Sequence, residues 1–217
     1  MKIGIEVNGV LRDTIEKITQ VYQKNLIDEY ENEYVNQTYN LDISGNTELN
    51  QTETLPFKYE TNLPVNSLEL SNHFKFQNKD EEYSFLFEEY VMEIFGHAPS
   101  SEMTTFNDFN DFYLNNREDN DIVIISDEMG KSKPATLFFL SKFGCLVESV
   151  IFYNPVTKNK ILGEFDLIVT SNPDIIINYS NKIIVKYETS YNKHIESEYL
   201  IKNLKELEEI TKKIKNA

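Results

Sequence analysis

Five short, almost wholly apolar runs constrain this chain more than any other feature: MKIGIEV from Met1, DIVIIS from Asp121, VESVIFYN from Val147, FDLIVTS from Phe165 and KIIVKYE from Lys182. A strand that faces solvent on one side alternates polar with apolar residues. These do not alternate, so they read as strands covered on both faces. Helical patterns separate them. Ile15, Ile18, Val21, Tyr22, Leu26 and Tyr30 recur at helical spacing after a cap at Asp13 or Thr14, and TTFNDFNDFYLNN follows the same period. KPATLFFLSKFG has Pro134 near its start and Gly144 after its end, and NPDIIINYS opens with Asn172 and Pro173. The tail from Ile195, IESEYLIKNLKELEEITKKIKNA, reads as one amphipathic helix. Apolar strands alternating with helices predict an α/β protein, with a mostly parallel sheet, helices on both faces, and ligands beyond the carboxyl ends of the strands.

The alternation is interrupted once. From about residue 31 to Ser71 the chain is polar and aperiodic, with Pro56 and Pro64. NKDEEYSFLFEEYVMEIFGHAP then regains helical spacing through Tyr83, Leu86, Phe87, Tyr90, Val91, Ile94 and Phe95, and Gly96 and Pro99 stop it. The expected division is a core of residues 1–30 and 104–217, with residues 31–103 inserted as a cap or interaction segment. Tyr39, Leu41, Ile43, Leu55, Phe57, Tyr59, Leu63, Val65, Leu68, Leu70 and Phe74 are scattered through the aperiodic part. Its apolar content argues against plain disorder. The segment is expected to order against a neighbouring chain, with folding over its own core as the alternative.

Thirty-six acidic against 21 basic side chains leave a formal charge of −15. Such a surface repels phosphate backbones and anionic membranes, so no direct nucleic-acid partner and no membrane partner are expected. No run approaches the length of a membrane-spanning helix, and a single cysteine, Cys145, suits a reducing compartment, so the expected location is cytoplasmic. Cys145 lies in apolar KFGCLVESV and reads as a packing residue. His73, His97 and His194 lack ligand spacing, so no zinc site is expected.

The residues that leave the carboxyl ends of the predicted strands are Glu6 and Asn8, Ser126 and Asp127, Asn154, and Thr170 with Ser171. Here the chain resembles the haloacid dehalogenase-like superfamily, in particular its 5'(3')-deoxyribonucleotidase type. IEVNGVLRDT is similar to the first motif, an apolar strand then Asp-x-Asp-Gly-Val-Leu. IVIIS resembles the second motif, a strand ending in Thr or Ser. KNKILGEFDLIVTSNPDII resembles the segment with the third-motif lysine and the fourth-motif acid pair, and KIIVKYETSYN the closing strand. The resemblance implies a haloacid dehalogenase-like, Rossmann-like core with an inserted cap. It also assigns positions. Glu6 stands for the nucleophilic aspartate, Asn8 for the acid/base, Ser126 for the phosphate-binding hydroxyl and Lys160 for the lysine. Thr170 and Ser171 stand for the acids that hold Mg²⁺.

The groups that would hold phosphate survive, namely Gly9 in the turn, Ser126 and Lys160. The chemistry and metal groups do not. Glu6 carries one methylene more than aspartate, moving its oxygen by about an ångström, which can cost on the order of 100-fold in rate. The Asn8 amide cannot move a proton near neutral pH, a loss of about 10²–10⁴-fold. Thr170 and Ser171 offer neutral oxygens where Mg²⁺ prefers carboxylates, so no metal and no cofactor are expected. Asp127 and Asp174 are the candidate substitute acids, Asp174 sitting in a first helical turn where a carboxylate suits the helix dipole. The expectation is a catalytically degenerate nucleotidase-like protein with a binding or assembly role, through a protein partner or self-assembly. A component of a phage particle in the host cytoplasm is one such assembly. The alternative is a Mg²⁺-dependent phosphatase acting on a nucleotide or small phosphate ester through Glu6.

Overall fold

The computed structural model describes residues 1–29 and 57–216. Six parallel strands form one sheet: β1 (Lys2–Glu6), β2 (Asp121–Asp127), β3 (Val150–Tyr153), β4 (Leu167–Thr170), β5 (Ile183–Tyr187) and β6 (Tyr199–Ile201), in the order β3-β2-β1-β4-β5-β6. Among the described residues the α-helices are α1 (Thr14–Tyr22), α2 (Lys79–Ser84), α3 (Thr105–Asn116), α4 (Ser132–Lys142), α5 (Lys158–Leu162), α6 (Pro173–Asn178) and α7 (Leu207–Asn216). The fold is therefore α/β and Rossmann-like, as the apolar runs predict. The strand order reverses between β1 and β4, which pair side by side with Ile5 opposite Val169. Crevices at such a switch point, outside the carboxyl ends of the strands, are where open α/β sheets take ligands.

The period of two along each strand sends side chains to two separate cores. Ile3, Ile5, Ile122, Ile124, Leu167, Val169 and Val185 meet Phe106, Phe109 and Phe112 of α3, Phe139 of α4 and Leu207 of α7. Val123, Ile125, Ile168 and Ile184 face the other way, onto Leu162, Phe165, Ile175 and Ile176 around α5 and α6. Each fully buried side chain of this size stabilises the fold by about 1.5–3 kcal/mol. Helix ends follow the local code: Asn172 Oδ1 accepts from Asp174 N at 3.0 Å ahead of Pro173, and Gly144, at φ +64°, ends α4.

A third core forms around α1. Tyr22 is fully buried, with the rings of Tyr59, Phe74, Phe76 and Phe85 around it, and Val65, Leu86, Val91, Ile94 and Phe95 complete the cluster with Ala135 of α4. Residues 57–95 thus bury part of their apolar side chains against this chain's own α1 and α4, while Leu63, Leu68, Tyr83 and Met92 stay exposed. Tyr39, Leu41, Ile43 and Leu55, also part of the apolar set in the aperiodic segment, lie outside the described residues.

Two sequence expectations are corrected. The run from Asn78 to Gly96 is not one regular helix. After α2 it continues as two wider, π-helical turns, Phe85–Glu89 and Met92–Gly96, a distortion that lets Phe85, Leu86, Ile94 and Phe95 all face the α1 core. The tail is not one helix either. Tyr199–Ile201 pairs with Val185–Tyr187 as the edge strand, burying Ile201, and only from Leu207 does an α-helix run. Pairing with an open sheet edge satisfies backbone groups that a local helix period does not reveal.

Candidate functional site

Glu6 ends β1 and Thr170 ends β4, so the switch point places them side by side. The Thr170 hydroxyl donates to one carboxylate oxygen of Glu6, and the phenol of Tyr153, at the end of β3, donates to the other. Glu6 is only 4% exposed. Burial pushes its carboxyl up to about 7, against the hydrogen bonds from Thr170 and Tyr153 and the positive charge of Lys158, with the charge of Asp127 adding to the rise. Tyr153 is itself buried against this carboxyl, which holds its phenol in the protonated, donating form.

The turn that follows β1 is closed on itself. Gly9 adopts φ +74°, and a Cβ there would lie 2.1 Å from Ser171 Oγ and 2.2 Å from the Tyr191 hydroxyl, so only glycine fits. Its N–H donates to the Arg12 carbonyl at 2.8 Å, and the N–H groups of Leu11 and Arg12 both turn back to the Val7 carbonyl. Asn8 Oδ1 accepts from Arg12 Nη2 at 2.6 Å and from Thr14 Oγ1 at 2.7 Å. Ser171 Oγ donates to the Asn8 carbonyl at 3.2 Å and shares a 2.9 Å hydrogen bond with Tyr191.

Arg12 is the centre of this arrangement, fully buried between the rings of Phe95 and Phe139. Its guanidinium pairs with Glu128 at 2.6 Å and donates to Thr136 Oγ1 at 2.6 Å and to the Phe95 carbonyl at 2.8 Å. The same Glu128 oxygen accepts from Thr136 at 2.8 Å and from Ser126 Oγ at 3.2 Å, while its second oxygen is buried without a partner among the described residues. A carboxylate of the chain itself thus occupies the Ser126 hydroxyl, where the sequence suggests an external anion.

No protein-family model and no curated protein matches this chain.

Of the positions singled out in the sequence, Glu6 and Thr170 touch directly. Asn8 and Ser171 meet through the Asn8 carbonyl. Ser126 reaches Asn8 only through Glu128 and Arg12. Lys160 stays apart: it is exposed on α5 and makes no ion pair or side-chain hydrogen bond among the described residues. The lysine whose charge reaches Glu6 is Lys158, two positions earlier on the same helix, and it is held by Asp174. That ion pair and a 2.6 Å bond from Asn178 keep the Asp174 carboxyl below its usual range. Asp127 is exposed at the end of β2. His73 is buried against Ser67 and the Asn62 carbonyl, and no group of three or more metal-ligating side chains occurs among the described residues. Burial pushes the half-buried Cys145 thiol up to about 12, which suits packing rather than attack.

Arg12, Glu128 and Tyr153 were not foreseen from the strand ends. A lone arginine inside GVLRDT was the available signal, since a cation placed between apolar residues needs a buried partner. Among the described residues no helix is long and apolar enough to cross a membrane.

Proposed function

We propose that this chain is a catalytically degenerate relative of the haloacid dehalogenase-like nucleotidases, with residues 31–103 as an inserted cap or interaction segment, retained as a folded block for binding or assembly. A phage particle is one assembly of that kind. The carrying observation is that Glu6, in the nucleophile position, is buried with both carboxylate oxygens taken by Tyr153 and Thr170. A nucleophile needs an open approach to its attacking oxygen within about 3–3.5 Å of phosphorus. Of the other positions, Ser126 is engaged with Glu128, Asn8 with Arg12 and the Gly9 amide with the turn, and Lys160 stands apart from them.

The Mg²⁺ ion that the resemblance implies does not fit these residues. A hard cation of this kind is held by carboxylates, and the acid-pair positions carry Thr170 and Ser171, whose hydroxyls are committed to Glu6 and to Asn8 and Tyr191.

Phosphatase assays test this reading. With Mg²⁺ or Mn²⁺, hydrolysis of an aryl phosphate and of deoxynucleoside monophosphates is expected to stay at background. Turnover of about 1–10 s⁻¹, abolished by Glu6→Gln, would establish instead a phosphatase working through Glu6.

A further inference from the structure

A cleft of about 680 Å³ opens beside the sealed turn, at the carboxyl end of β5. Ligand pockets of small molecules span roughly 300–1,000 Å³. One wall is apolar, formed by Ile15, Leu63, Pro64 and Val65. The rest carries four carboxylates, on Asp13, Glu16, Glu102 and Glu188, against one ammonium, on Lys202. Lys202 is already 3.8 Å from Glu188. Asp13 caps α1, and Glu16 accepts from Gln20 at 3.0 Å, whereas the Glu102 carboxylate has no partner among the described residues.

Tyr187 supplies a second, independent observation. It is 5% exposed, its ring belongs to the core under α3 and α7, and it lines the cleft. No described residue makes a hydrogen bond with its hydroxyl. The ring is buried but the hydroxyl is not among the fully buried unpaired atoms, so it is reached through the cleft, where a ligand can take it in place of water. The charges that act most strongly on this phenol are those of Glu102 and Asp13, both on the same cleft.

We propose that this cleft binds a small linear polyamine, its ammonium groups donating to Glu16, Glu102 and the Tyr187 oxygen and its methylenes lying on Ile15, Leu63, Pro64 and Val65. The chemistry selects the class. Carboxylates accept and never donate, so their complement is a donor-only group, and an alkyl ammonium is one. Among the described residues no three of these acids are placed to hold one metal ion, whereas a ligand with several amines can reach them separately. Glu6 does not line this cleft, so the site stands whether or not Glu6 turns over phosphate esters.

Calorimetry of the full chain with spermidine as probe, at near-physiological salt, tests the proposal. One spermidine per chain is expected to bind saturably. Glu102→Gln should weaken binding about two- to fivefold, the range of a solvent-exposed ion pair. The double variant Glu16→Gln/Glu102→Gln should weaken it about tenfold, and Tyr187→Phe about threefold. Both glutamates are exposed, so the double variant keeps the fold and decides the matter even if Tyr187→Phe is unstable. The proposal is overturned by the absence of saturable heat at millimolar spermidine, by equal affinity in the double variant or in a folded Tyr187→Phe, or by full displacement with Mg²⁺ at matched ionic strength.

Discussion

The carboxyl edge of the sheet has two halves that differ in one respect. Around β1, β2 and β4 the polar side chains that leave the strands, Asp127 apart, are bonded within the chain: Glu6 to Thr170 and Tyr153, Asn8 to Arg12, and Ser126 to Glu128. Around β5, Tyr187 and Glu102 face a cleft without partners among the described residues. Both halves are rich in polar residues, so polarity at a strand end does not by itself mark a working site. What separates them is whether the strand-end side chains find partners within the chain, although one Glu128 oxygen of the first half is buried without a partner among the described residues. A group bonded within the fold helps hold it together, and one left facing a cleft is met by water and stays free for a ligand.

The contrast can be broken most forcefully at Glu128. Removing one partner of a fully buried ion pair leaves the other charge uncompensated, which costs about 3–5 kcal/mol. Glu128→Ala should lower stability by that amount in urea unfolding, because Arg12 has nowhere to solvate. A loss near that of an ordinary surface substitution would show that this half is not held by its internal pairs.

Glu6 gives a smaller, pH-dependent effect. Its folded carboxyl titrates at about 7 against a reference of 4.5, so the folded state binds the proton more tightly than the unfolded state. The stability this proton contributes is full below the unfolded value near 4.5 and is lost as pH rises through 7. Each tenfold difference in proton affinity is worth about 1.4 kcal/mol, so the total is on the order of 3 kcal/mol. Glu6→Gln carries no titrating proton, so its stability relative to the native chain should rise by about that much between pH 4 and pH 8. Thermal or urea unfolding at several pH values measures it. A difference that does not vary with pH would mean that Glu6 titrates in the folded state as it does in the unfolded chain.

The least effect belongs to the open half. Glu102→Gln should change unfolding free energy by no more than about 0.5 kcal/mol, as expected of a surface group with nothing to hold. A larger loss would place Glu102 among the structural residues and erase the difference between the two halves.

Much of the fold was legible in the sequence. The uninterrupted apolar runs foretold a sheet covered on both faces, and the Asn172-Pro173 and Gly144 signals marked helix ends that are found there. These are local properties, carried by residues within one turn or one strand. The candidate site was legible only as a set of positions. Glu6, Asn8, Ser126, Thr170 and Ser171 do converge on neighbouring strand ends, because a parallel sheet brings every carboxyl end to one edge. Lys158 rather than Lys160 carries the charge felt by Glu6, since α5, a helix that the sequence pattern did not reveal, sets which lysine turns inward.

The sequence by itself thus determined the layers: which segments become strands, which become helices, and the edge at which polar residues collect. Tertiary structure alone decided what those residues do. Arg12 finds Phe95 across 83 positions, Glu128 across 116 and Thr136 across 124, and Tyr153 reaches Glu6 across 147. Whether a polar side chain is sealed or left facing a cleft depends on partners that far away, and on the low-dielectric interior in which they meet. Neither local propensity nor spacing contains that information.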